Sequence, residues 1–174
     1  MKALYPKQGE AASFFIKRLT SGGNSMDTSS VGTGKTVVAA YIARELKRPV
    51  AIICPKSVIP SWERELKEFG VKPEFVLNYE KLRTGKTPHM SKRGKMIMNW
   101  HLSKDTVVFV DEIHKSKGPY TQNAQLVISL KQQGYLIHGM SATACEDPTE
   151  MRSIGYMLGL HNLNKSGDNK KSWY

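Results

Sequence analysis

A few short, β-branched apolar runs narrow the folds open to this chain. "PVAIIC" at 49–54 and "TVVFVDE" at 106–112 place apolar residues at consecutive rather than alternate positions, the mark of strands buried on both faces. "EFVLNY" at 74–79 and "YLIHGM" at 135–140 are further strand candidates, and the short polar stretch around Met26 is the weakest. Helical patterns alternate with these runs. Residues 7–19 carry Ala11, Phe14, Phe15 and Leu19 on one expected face, and a helix is expected from Lys35 to Leu46. Val58, Trp62, Leu66 and Phe69 recur at spacings of four, four and three, with Pro60 allowed in the first turn. A helix over 121–132 precedes the last strand. "DPTEMRSIGYMLGL" then opens with Asp147 as N-cap, Pro148 at the first position and Glu150 three residues after the cap. Strands alternating with helices predict βα units, hence an α/β fold with a parallel sheet covered by helices. At 174 residues the chain suffices for one domain with a substantial core.

Composition removes several function classes. No apolar run approaches the roughly 20 residues that cross a bilayer, and "MKALYPKQGE" lacks the apolar core of a secretion signal. Cys54 and Cys145 show no metal-ligand spacing, which points to free thiols in a reducing cytoplasm. The net charge of +11 points to polyanions. Lys81, Arg83, Lys86, Lys92, Arg93, Lys95 and Lys104 follow one another with no acid between them. This stretch, which also carries Trp100, reads either as a surface excursion suited to a phosphate backbone or as a solvated loop.

"SSVGTGKT" at 29–36 supplies the chemistry of a phosphate loop. Glycines let backbone N–H groups close on a β-phosphate at a helix N-terminus. Gly32, Thr33 and Gly34 would form that cradle, Lys35 would neutralise β- and γ-oxygens, and the Thr36 hydroxyl would ligate Mg²⁺. A chance Gly-rich turn could spell the same string. The pairing with Asp111 and Glu112 decides between them, because those acids end an apolar strand at the carboxyl edge of the sheet, where open α/β folds bind ligands. Asp111 would hold the Mg²⁺, and Glu112 would orient or deprotonate the attacking water.

These residues carry a resemblance. "DEIH" at 111–114 looks like the DExH box of superfamily-two helicases, and "SAT" at 141–143 is similar to their third motif. "KSVIPSWERELKEF" after "AIICP" resembles motif Ia of Swi/Snf-type ATPases, "LNYEKLR" at 77–83 their motif Ib, and "YPKQ" at 5–8 the Q motif. With the phosphate loop the ordered motifs span about residue 4 to about 161, and together they resemble the first RecA-like lobe of a Swi/Snf-like DNA helicase or translocase of the compact phage or bacterial kind.

The resemblance implies a P-loop NTPase lobe over 1–160 and, over 161–174, the start of a linker towards a second RecA-like lobe, in cis or in trans. It implies ATP and Mg²⁺ as ligands, with Gln8 reading the adenine edge and Tyr5 adding contact with the base. His114 and the segment Ser141, Ala142 and Thr143 would sense the γ-phosphate; Pro55, Lys56, Ser57, Asn78 and Tyr79 would touch the backbone of DNA, expected to be duplex. Trp62 is expected in the core, at its helical spacing from Leu66 and Phe69. Ser29 departs from the usual small Ala or Gly, Ile113 stands where the box has Ala, and "SAT" is closer to helicase than to remodeller usage. The expected function is the ATP-binding lobe of a DNA-dependent ATP hydrolase in the cytoplasm of a bacterium or phage-infected cell. Because the family's arginine fingers come from the second lobe, weak or absent hydrolysis is expected of this lobe alone. The alternatives are an RNA helicase lobe and a non-motor module that uses ATP to switch its grip on nucleic acid.

Overall fold

The computed structural model describes residues 3–94, 97–118, 120–143 and 148–163. The first elements are α1 (Pro6–Thr20), β1 (Ser25–Asp27), α2 (Lys35–Leu46), β2 (Val50–Cys54), α3 (Ile59–Glu68) and β3 (Phe75–Asn78). A short α4 (Tyr79–Arg83) leads to β4 (Lys86–Thr87), β5 (Met90–Arg93) and β6 (Ile97–Trp100). The chain continues through β7 (Val107–Asp111), α5 (Gln122–Gln132), β8 (Leu136–Met140) and α6 (Arg152–Leu158). The main sheet has the order β1-β8-β7-β2-β3, and every neighbouring pair is parallel.

The consecutive apolar residues of the central strands follow from the two covered faces. Val50, Ile52, Cys54, Val107, Phe109 and Met140 face α1, α2 and α3. Ala51, Ile53, Val108, Val110 and Ile137 face α5 and α6 on the other side. Each fully buried Val, Ile or Phe contributes about 1.5–3 kcal/mol of transfer free energy, so both layers hold the sheet. The polar segment at Met26 forms an edge strand, with Ser25 opposite His138 and Asp27 opposite Met140. Asn24 fastens its start: the side-chain amide donates to the Met157 carbonyl at 2.7 Å, and its oxygen accepts the Ile137 N–H at 2.8 Å.

Two expectations need correction. Phe14 is 66% exposed, while Ala12, Phe15 and Leu19 are buried. At about 100° per residue, Phe14 lies a full step away from Phe15, outside the stripe that Ala12, Phe15 and Leu19 share. The basic stretch is neither a loop nor wholly a surface excursion, for β4, β5 and β6 form a separate antiparallel sheet. Its inner face, Met90, Met98 and Trp100, is buried in the α5 core layer. Trp100 donates its indole N–H to Ser129 Oγ at 2.9 Å, while Lys92 donates to the Arg83 carbonyl and Gln122 Oε1. Lys86 and Arg93 stay on the exposed side.

The final helical stretch opens as a 3₁₀ turn over Pro148–Met151 before α6, and Gly159 ends it at φ +81°. The expected cap Asp147, Cys145 and Lys95 lie outside the described residues, as does the 164–174 part of the expected linker. Among the described residues no helix is long and apolar enough to cross a membrane.

Candidate functional site

Because all five strands of the main sheet run in one direction, their carboxyl ends share one rim. The glycine octet follows β1, Pro55–Ser57 follow β2, Asn78 ends β3, Asp111 ends β7 and Ser141 follows β8. Almost every residue singled out from the sequence therefore stands at that rim. Gln8 and Tyr5, at the start of α1, join it through a hydrogen bond from Gln8 Nε2 to the Thr33 carbonyl at 2.8 Å.

The octet is built to turn. Gly32 and Gly34 sit at φ +80° and +82°, and Gly34 is the N-cap of α2 with no side chain capping it. The first-turn N–H groups of α2 thus carry no side-chain cap, as an anion site requires. A Cβ on Gly34 would lie 2.7 Å from Gln8 Nε2, so this glycine also makes room for α1. Asp27 Oδ1 accepts the Ser29 N–H at 2.8 Å, and Ser29 Oγ lies 2.9 Å from Thr33 Oγ1. Serine at the first octet position thus braces the loop from within. Lys35 donates to the Ser29 and Ser30 carbonyls at 2.7 and 2.9 Å, and its charge is also felt at Asp111.

Asp111 and Glu112 form a tightly held turn. Burial pushes the Asp111 carboxyl above its ordinary range; the Trp62 indole, the Glu112 amide and the Lys35 charge pull it back. Trp62 Nε1 donates to Oδ2 and the Glu112 N–H donates to Oδ1, both at 2.9 Å. The Asp111 carbonyl accepts the Tyr79 hydroxyl at 2.6 Å. Glu112 stands at φ +49°, ψ +49°, a left-handed conformation that costs a non-glycine residue about 1–3 kcal/mol and marks a site held by its surroundings. Ile113, where the box usually has Ala, is fully buried against β8, with Gly139 giving it room.

His114 joins three motifs. Its Nδ1 lies 2.9 Å from Ser141 Oγ and 3.1 Å from Glu112 Oε2. The Ser141 hydroxyl donates to the Thr143 carbonyl at 2.7 Å, which assigns the His114 proton to Nδ1. Ser141 N–H donates to the Asp27 carbonyl at 3.0 Å, so the strand before the octet, the acidic turn and the "SAT" segment are linked directly. Ala142 is half-buried and Thr143 exposed beside them.

On the β2–β3 side of the rim, Pro55, Lys56, Ser57 and Asn78 line one open groove with Lys81 and Lys115. Glu80 is the one acid in that lining, and it pairs with Arg83 at 3.6 Å. Tyr79 does not belong to it. Only 1% of Tyr79 is exposed and its hydroxyl is spent on Asp111, because α4 turns the residue after Asn78 into the core. Its expected place on a DNA backbone is corrected to a place behind the acidic turn. Trp62 is buried as its spacing implies, and its N–H on Asp111 is a role that spacing alone does not give; a buried indole needs an acceptor, and that need is the one signal of it in the sequence.

Comparison with known proteins gives this rim its context. Residues 1–146 match the family described as type III restriction enzyme, res subunit. A protein of Acanthamoeba polyphaga mimivirus named as ATP-dependent RNA helicase L364 is 34% identical over 156 residues, covering 78% of this chain and 29% of that protein. The Caenorhabditis elegans homolog of the SWI/SNF-related matrix-associated actin-dependent regulator of chromatin subfamily A-like protein 1 is 26% identical, over 87% of this chain and 23% of its own length. The chain thus spans less than a third of either relative. Among solved structures, the Sulfolobus solfataricus SWI2/SNF2 ATPase core in complex with dsDNA superposes with a TM-score of 0.64 at 20% identity, covering 90% of this chain and 36% of that one. At that identity the likeness speaks for the fold alone: the parallel sheet between helices has the fold of the RecA-like lobe of that core.

Proposed function

The chain belongs to the family of the type III restriction enzyme res subunit, a helicase-type ATPase family, and from that premise we propose that it is the ATP-binding lobe of a DNA-dependent helicase or translocase. The observation that carries this reading is the meeting of octet and acidic turn at one sheet rim, where the Lys35 charge acts on Asp111. A second RecA-like lobe, in cis or in trans, would complete the site with its arginines, so the lobe alone hydrolyses ATP slowly.

In this reading the N–H groups of Gly32, Thr33 and Gly34 and the start of α2 hold the phosphates. Lys35 leaves the Ser29 and Ser30 carbonyls for phosphate oxygens. Tyr5, 76% exposed, is open to a base, and Gln8 keeps one amide proton beyond the one it donates to Thr33. Thr36 and Asp111 would hold Mg²⁺ together with water and phosphate oxygens, the few-ligand manner in which that ion is bound beside nucleotides. Such an ion would neutralise charge developing on the phosphates. Glu112 takes the proton of the attacking water, and His114 with Ser141, Ala142 and Thr143 responds to the γ-phosphate. Pro55, Lys56, Ser57 and Asn78 hold the polymer backbone in the groove.

Duplex DNA is favoured by the Swi/Snf-like stretch at 55–69 and the SWI/SNF-related relative. RNA is the second reading, which the mimivirus relative's name supports. ATPase assays of the lobe joined to its partner lobe, with duplex DNA, single-stranded DNA and RNA, separate the readings. Stimulation by RNA alone rejects DNA, and stimulation by no polymer favours the non-motor switch. Lys35→Ala should reduce turnover by two orders of magnitude or more. Glu112→Gln should keep ATP bound and uncleaved; a variant that still turns over at the native rate removes Glu112 from its role.

A further inference from the structure

We propose that Trp62 and Tyr79 form a two-point clasp on Asp111 through which nucleic acid in the groove tightens the binding of metal–nucleotide. The inference rests on the function proposed above and names the regulation of that same site.

Both residues are tied to the groove by short stretches of ordered chain. Tyr79 directly follows the groove residue Asn78, whose side-chain oxygen caps α4 by accepting the Lys81 N–H at 2.7 Å. Trp62 follows Pro55–Ser57 through a 3₁₀ turn, Lys56–Val58, that runs straight into α3. No flexible linker intervenes in either path. A displacement of the groove wall is therefore carried to the ring behind it.

The two rings grip different parts of Asp111. The Trp62 N–H fixes carboxylate oxygen Oδ2 at 2.9 Å, and the Tyr79 hydroxyl fixes the main-chain carbonyl at 2.6 Å. Tyr79 O–H also lies 3.4 Å from the Glu112 carbonyl, so it bears on the left-handed turn. Trp62 is fully buried and Tyr79 is 1% exposed, so each donor reaches Asp111 from inside the core. His114 and Ser141 reach the acidic turn from the β8 side, whereas both clasp residues arrive from the β2–β3 side, where the groove lies. Asp111 thus receives an input that does not pass through the γ-phosphate relay. Both are positioning residues, acting through Asp111.

The test is the thermodynamic coupling between the two ligands. The affinity of this chain for a fluorescent non-hydrolysable ATP analogue with Mg²⁺ is measured alone and with saturating short duplex DNA, then with RNA. Native protein should bind the analogue about fivefold or more tightly with the polymer present. In Tyr79→Phe, which keeps the ring, and in Trp62→Phe, that ratio should fall to unity. Leu66→Ala cuts the same core beside Trp62 without touching Asp111, and it should keep the native ratio, since a merely structural loss moves the affinities and not their coupling. A native ratio in both Tyr79→Phe and Trp62→Phe overturns the clasp. So does native protein that binds both ligands without coupling, leaving the functional reading intact. Native protein that binds no polymer removes that reading and the clasp together.

Discussion

Burial raises the Asp111 carboxyl above its ordinary range, so the folded state holds this proton more tightly than the unfolded chain does. Ionisation at neutral pH therefore works against folding, a cost consistent with a group kept for binding. His138 has the opposite sign. It lies fully buried on β8 between Phe15 and Phe109, with Nδ1 2.8 Å from Ser25 Oγ and no partner for Nε2 among the described residues. Burial pushes its pKa down to about 4, with Asp27 partly opposing the shift. As pH falls below the ordinary histidine value, the unfolded chain takes up this proton first, so the stability present at neutral pH is lost progressively until about pH 4. The loss attributable to His138 should reach roughly 3 kcal/mol. Urea melts across that range check it against His138→Asn, whose amide can still face Ser25; equal acid sensitivity in the two proteins would remove His138 as the cause.

At the scale of elements, β8 and the acidic turn are fitted to each other. A Cβ on Gly139 would meet Ile113 Cδ1 at 2.7 Å, in a place where Ile113 is fully buried. Gly139→Ala should cost about 1–3 kcal/mol by overpacking, and Ile113→Ala in the same chain should recover part of it. Additive losses in a double-mutant cycle of chemical melts would show that the two positions do not press on each other. That fit could not be read from the "DEIH" and "LIHGM" strings, because it depends on which strands are neighbours. The strands themselves were readable: β2 and β7 announce two covered faces by their unbroken apolar runs, and β8 reads as a strand candidate although His138 and Gly139 interrupt it. The small sheet was not, since β4 to β6 bury apolar residues only at Met90, Met98 and Trp100, leave Ile97 exposed and intersperse Lys86, Lys92 and Arg93. At the rim, spacing sets Trp62 in the core without saying which acceptor it would find, and the family resemblance puts Tyr79 on the polymer backbone, not behind Asp111.

Across the whole molecule, the net charge of +11 becomes specific where Lys56, Lys81 and Lys115 share one groove. Nucleic-acid affinity should fall log-linearly with salt, and Lys56→Gln, Lys81→Gln or Lys115→Gln should each reduce that slope by about one. Unchanged slopes in all three variants would move the polymer to another surface. The distribution of function over the fold has a practical side. The proposed site stands on the carboxyl ends of the strands, while the Ser103–Asp105 turn leads into the opposite end of β7 and is exposed. That turn is the natural place to splice in a tag, a dye or a tether: a single-molecule experiment could pull on it while the nucleotide and polymer surfaces stay clear.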